Sequence, residues 1–275
     1  MTSSRASADA PTRDRSIQIM ALIYPIASLL FLLAVWQGVV TAFEVKPFIL
    51  PSPALVLRVI LDRHDVLLHH TLITSYETMA GFILSVLIGI PIAAVVVAWR
   101  PVERLLYPLL VASQTVPKVA IAPLFIVWLG FGFLPKIIIA FLVAFFPIVI
   151  STVAGLKSTP VEMIHLGRIV GFSSWQMFRK ISFPRALPEI FAGMKVAMTL
   201  AVVGAIVGEF VGASEGLGYL LMFATAQMQT PLVFAALVYL VVIGVVFFGF
   251  IQWCERLAIP WHVSIRRDEL RIGSA

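Results

Sequence analysis

The chain has 275 residues, 60% of them hydrophobic and 12% charged, about half the charged share of an ordinary soluble domain. A mean hydropathy of +1.02 and continuous apolar runs indicate an all-α polytopic membrane protein; a β-barrel would show alternating segments of ~10 residues. The net charge of +6 does not point to nucleic acid: there is no long Lys/Arg run and no nucleic-acid motif, and basic residues in membrane proteins gather in cytoplasmic loops.

In chain order, residues 1–16 read as a polar, disordered tail, and about six spans follow, at roughly 17–43, 69–99, 105–130, 135–156, 187–212 and 230–253. The first is too long for a signal-peptide core and has no small-residue cleavage site, so it reads as retained. Before the second span, Ser52 is a candidate N-cap and Pro53 suits the first helical position, which predicts a short helix at the interface. Pro91, Pro101, Pro108, Pro117 and Pro123 punctuate the second and third spans, so kinked helices buried in protein are expected there. Residues 17–256 form the membrane domain, with a loop at 157–186 and a tail at 257–275.

Orientation follows from the basic residues. With the N-terminus inside, fifteen Lys and Arg fall in inside segments and Lys46, Arg58, Arg63 and Lys136 outside. Both termini and the 157–186 loop are then cytoplasmic.

Three ionisable groups sit in or near the ends of spans: Glu77, Lys118 and Glu209. Such groups are costly in lipid and suggest function, so Lys118 and Glu209 are candidate pathway residues, with Ser113, Gln114, Thr115 and Thr199 as further polar points. Gly204, Gly208 and Gly212 recur every four residues, a stripe that lets helices approach closely; it reads as packing, with a seam between two copies as an extension. His69 and His70 are adjacent, so they do not share a helix face as paired ligands do. With one cysteine, Cys254, no disulfide or multi-cysteine metal site can form. No metalloprotease, nucleophile-elbow or phosphate-loop motif occurs. The chain thus reads as a non-enzyme without its own cofactor or metal.

The loop carries the densest local signals. Thr159-Pro160-Val161-Glu162 matches a capping box, with Gly171 as the helix stop. Ser173 to Gln176 offers a second box, and Pro184 predicts a stop near Phe183. Phe172, Trp175, Phe178 and Ile181 recur every three residues on the second helix. Such a short amphipathic helix needs a surface, either the inner leaflet or a partner protein.

Here the sequence resembles the "EAA" loop, EAA-x3-G-x9-I-x-L-P, of the membrane subunits of binding-protein-dependent ABC importers. It reads His165-Leu166-Gly167, three residues, Gly171, nine residues, then Ile181-Ser182-Phe183-Pro184. His165 stands where the pattern has an acid; Glu162, one turn earlier, either compensates or acts as the capping residue, and capping is favoured. The stretches LPSPALVL, QTVPKVAIAPLFIVWLGFG and GEFVGASEGLGYLL extend the likeness over about residues 45–255, in the nitrate/sulfonate/taurine-type branch, which also takes up pyrimidine-like precursors.

The resemblance implies a type I importer permease fold in a bacterial inner membrane, working as a homodimer. ATP and Mg would be held by separate cytoplasmic ATPase subunits docked on the loop at Glu162, His165, Gly167, Gly171, Trp175, Phe178, Ile181 and Pro184. A periplasmic or lipid-anchored binding protein would deliver a small anionic or heterocyclic solute. The competing reading is a secondary transporter or channel, which predicts inverted repeats that the sequence does not display.

Overall fold

The computed structural model describes residues 10–260, with side chains from Tyr24 onward except Pro25. Every regular element among them is helical. α1 (Ala10–Ala42) leads to the short α2 (Pro53–Asp62) and the long α3 (His64–Ala98); α4 (Arg100–Ala112) and α5 (Ala122–Leu129) flank an irregular turn; α6 (Phe133–Lys157) follows. The loop helices α7 (Val161–Ile169) and α8 (Ser174–Met177) precede α9 (Phe183–Gly212), α10 (Leu217–Ala226) and α11 (Thr230–Ala258).

Four helices are long and apolar enough to cross a bilayer: α3, α6, α11 and the 39-residue helix Ser174–Gly212. The bent pair Arg100–Thr115 and Lys118–Leu129 makes a fifth if it is one span, and the described apolar part of α1, Ile26–Ala42, is just shorter than a span. The tail expected at 1–16 is shorter on its described part, because α1 is helical from Ala10; residues 1–9 and 261–275 lie outside the described residues.

The packing core is a seam of small residues. Ala140 of α6 is pinched between Gly81 of α3 and Gly204 of α9; a Cβ on either glycine would lie 2.6–2.7 Å from Ala140 atoms. Gly208 meets Lys136 of α6, and Gly212 meets Ile126 of α5 and Phe131. The glycine stripe therefore seats α9 on helices of its own chain rather than forming a seam between copies. At the loop end, Gly155 of α6 faces Ala186 of α9. Small residues let backbones come this close where lipid offers no hydrophobic drive between helices.

Around this seam, Phe82, Ala144, Ile148, Met198, Ala201 and Ile251 close one apolar cluster. At the end away from the loop, α2 packs on α10 and α11 through Val56, Leu217, Leu221 and Leu240. Ser52 caps α2 as its sequence predicts, accepting from Leu55 N–H at 3.3 Å, with Pro53 in the first turn.

The third expected span departs most from expectation. It is broken, with its halves meeting at 81°. Val116 is extended (φ −67°, ψ 126°) before Pro117, since a proline ring disfavours helix at the residue before it. Within one chain this span is buried only in part: α4 has no buried residue, α5 buries Ala122 and Ile126, and Val127 and Trp128 are largely exposed.

Candidate coupling surface and pathway residues

α7 ends in a Schellman turn. Gly171 N–H donates to Arg168 C=O at 3.0 Å and Phe172 N–H to Gly167 C=O at 2.9 Å, with Gly171 at φ +81°. Only glycine takes that left-handed position cheaply. Ser173 then starts α8 with both capping-box bonds present: Gln176 N–H to Ser173 Oγ at 3.3 Å, and Ser173 N–H to Gln176 Oε1 at 2.9 Å.

Two expectations for this loop are corrected. Thr159 does not cap α7: it is buried and donates to Leu156 C=O at 3.2 Å, while Pro160 occupies the cap position without a side-chain bond. Glu162 is therefore an exposed first-turn carboxylate and not half of a capping box. Pro184 does not stop the following helix either. Phe178–Ser182 is one π-helical turn in which Phe183 N–H reaches back to Phe178 C=O, and the chain runs on into α9. A wider turn gives room for a ring with no N–H to donate.

The two loop helices are locked at Gly167, which is buried: a Cβ there would lie 2.6 Å from Met177 Cε and 3.2 Å from Ile181 Cδ1. Phe178 stacks on Trp175 at 5.6 Å and, with Phe183, packs on Leu156, Ala186 and Ile190. Phe178 thus faces the bundle, whereas Trp175 is 67% exposed. Leu166, Ile169 and Val170 are also largely exposed, beside exposed His165 and Glu162. Among the described residues neither Glu162 nor His165 has an ion-pair partner. An exposed apolar patch with charged neighbours is the kind of surface that meets a partner protein or the inner leaflet. Behind it, Ser158, Met163, Lys180, Ile181, Pro184, Arg185, Pro188 and Glu189 line a cavity of about 470 Å³.

The candidate pathway residues separate into two groups. Lys118 is half-buried at the 81° break, its Nζ 4.5 Å from the Phe146 ring centre. Gln114 and Thr115 are exposed; Ser113 is half-buried and bonds Leu110 C=O; exposed Thr199 bonds Lys195 C=O. All of these lie at or near the outer surface of a single chain.

Glu209 lies apart from that group. It is 1% exposed, accepts from Thr74 Oγ1 at 2.6 Å and from Gly218 N–H at 2.5 Å, and so faces no open path in this chain. Beside it, Glu77 pairs with Lys136 in the interior. Lys136, expected in an outside segment, is 4% exposed. In the sequence it is marked only as a charge next to an apolar run.

Residues 85–259 match the family model for the binding-protein-dependent transport system inner membrane component. The chain belongs to that family. The permease is 39% identical over 257 residues to the riboflavin transport system permease protein RibX of Chloroflexus aurantiacus, covering 92% of this chain and 96% of that one. It is 36% identical over 240 residues to the formylaminopyrimidine transport permease protein ThiX of Halalkalibacterium halodurans, covering 86% and 95%. A solved structure of the MetNI methionine ABC transporter in an inward-facing form aligns with TM-score 0.62 at 20% identity, over 72% of this chain and 98% of that one. The permease thus has the type I importer fold and is a membrane component of an ABC importer.

Proposed function

We propose that the permease forms half of a solute pathway between two copies of itself, and that α7 and α8 dock a separate cytoplasmic ATPase. The observation that carries this is mechanical. Trp175 stands exposed on a helix that continues through the π turn to Gly212, a rise of roughly 58 Å at 1.5 Å per residue. Displacement of the docked surface is passed toward the opposite end along one continuous helix. ATP and Mg would act in the ATPase, with ATP binding favouring one state of the permease by differential affinity.

In this reading the loop end is cytoplasmic, as the basic residues require, and a binding protein delivers solute at the far end of an inner-membrane permease. The broken third span, with its exposed apolar faces on α4 and α5, meets the second copy, and Lys118, Ser113, Gln114 and Thr199 lie toward the shared pathway. Lipid covers the exposed apolar side chains of α1 and α11. Among small anionic and heterocyclic solutes, the names of the two relatives favour the heterocycle. The test is uptake by the reconstituted complex: ATP-dependent accumulation of a flavin or pyrimidine supports the reading, and uptake that persists with no ATPase co-purifying removes it.

A further inference from the structure

A helix start leaves several amide N–H groups without intrahelical partners. At the start of α10, three successive amides are met by side chains from two spans. Gly216 N–H donates to His70 Nδ1 at 3.0 Å, Leu217 N–H to Thr74 Oγ1 at 2.8 Å and Gly218 N–H to Glu209 Oε2 at 2.5 Å. The Thr74 hydroxyl donates onward to Glu209 Oε1 at 2.6 Å, so α3, α9 and α10 are tied in one chain of bonds, buried at Thr74 and Glu209 and half-buried at His70. The segment leading into these amides, Gly212–Glu215, walls a cavity of about 420 Å³ with Phe131, Gly132, Phe133 and Lys136.

We propose that His70, Thr74 and Glu209 form a clamp that positions the 213–218 segment over this cavity, and that His70 makes the clamp release on acidification. The argument rests on donor and acceptor roles. A backbone N–H can only donate, so Nδ1 of His70 carries no proton and the ring is neutral, with its proton on Nε2. Protonation places an N–H on Nδ1 as well, two donors then face each other, and the Gly216 bond is lost. The Thr74 hydroxyl does not titrate, and the Glu209 carboxyl keeps an acceptor oxygen whether or not it carries a proton, so imidazole is the member of the clamp whose protonation removes an acceptor already in use.

The groups that act on His70 come from its own helix, from the clamped segment and from α10. His69 lies with its ring 5.4 Å away, Glu215 interacts electrostatically with His70 and sits 3.7 Å from His69 Nε2, and the Tyr219 ring is 6.0 Å away. Glu209 is reached through Thr74, with the Glu77–Lys136 pair beyond it. A protonated His69 gains attraction to Glu215 without contesting the Gly216 amide, which separates the two histidines experimentally.

The test is hydrogen exchange at the 216–218 amides of the full-length permease in lipid nanodiscs, expressed as protection over the unfolded-chain rate at each pH. Between about pH 8 and about pH 5, protection in the wild type should fall about five-fold, the equilibrium weight of one net hydrogen bond. His70→Asn keeps an acceptor near Nδ1 that does not titrate, and should hold high protection throughout; His69→Gln should retain the wild-type step. His70→Ala should show low protection at every pH. A wild type with no step, or a step that survives in His70→Asn, overturns the proposal. Neither result depends on whether the complex transports solute.

Discussion

The Cα of Gly167 lies so close to the Met177 side chain that a methyl group there would come within 2.6 Å of Met177 Cε. This contact fixes the angle between the two loop helices, and with it the patch of Leu166, Ile169, Val170 and Trp175 that they present. The Gly167→Ala variant meets the flexible ends of two side chains, Met177 and Ile181, so it should keep ATPase binding within about two-fold. Gly167→Leu overpacks the crossing at ~1–3 kcal/mol and should weaken ATPase co-purification on the order of ten-fold, read by pull-down from detergent extract.

Gly171 closes the turn between those helices at φ +81°. Proline, locked near φ −65° and without an N–H for Arg168 C=O, cannot take its place. Gly171→Pro should abolish uptake while membrane insertion and total helix content stay unchanged. Gly171→Ala should cost about 1–2 kcal/mol locally and leave partial uptake. Proteoliposome uptake with circular dichroism on the same samples checks both.

Ser173 contributes a conventional cap. Ser173→Ala should cost about 1 kcal/mol at the start of α8, visible as faster hydrogen exchange confined to residues near 174–178 with the spans unaffected. Ser173→Asp should restore protection.

Lys136 and Glu77 are enclosed together beside Glu209. Removing one member of a buried pair leaves an uncompensated charge, at ~3–5 kcal/mol. Lys136→Met leaves two buried carboxyl groups without their cation, whereas Glu77→Gln leaves the Lys136 ammonium with Glu209 still beside it, so thermal unfolding should drop further for the lysine variant. The double variant should recover most of the loss.

Much of the loop was readable from the chain itself. Gly171, Ser173 and Ser52 act through bonds that reach at most five residues, so residue type and spacing determine them. The long apolar runs of α3, α6 and α11 are equally local. What escaped the sequence depends on partners far apart in the chain. Lys136 meets Glu77 across 59 positions, and Glu209 meets Thr74 across 135, so neither charge carries a local mark of what compensates it. Pro184 misleads for a related reason: proline ends an α-turn, but one π turn carries the chain past it, and packing of Phe178 and Phe183 on the bundle holds that turn. α10 was not anticipated because its first three amides are satisfied by α3 and α9 rather than by a residue beside them.

The central claim is that the exposed face of α7 and α8 receives the ATPase, and Ile169, 82% exposed, is the best reporter on it. A photo-crosslinking amino acid placed at Ile169 in cells should capture a protein carrying a phosphate-binding G-x-x-x-x-G-K-[ST] loop, with a yield that falls in the Gly171→Pro background. Active uptake with no ATPase among the crosslinked products would contradict the account.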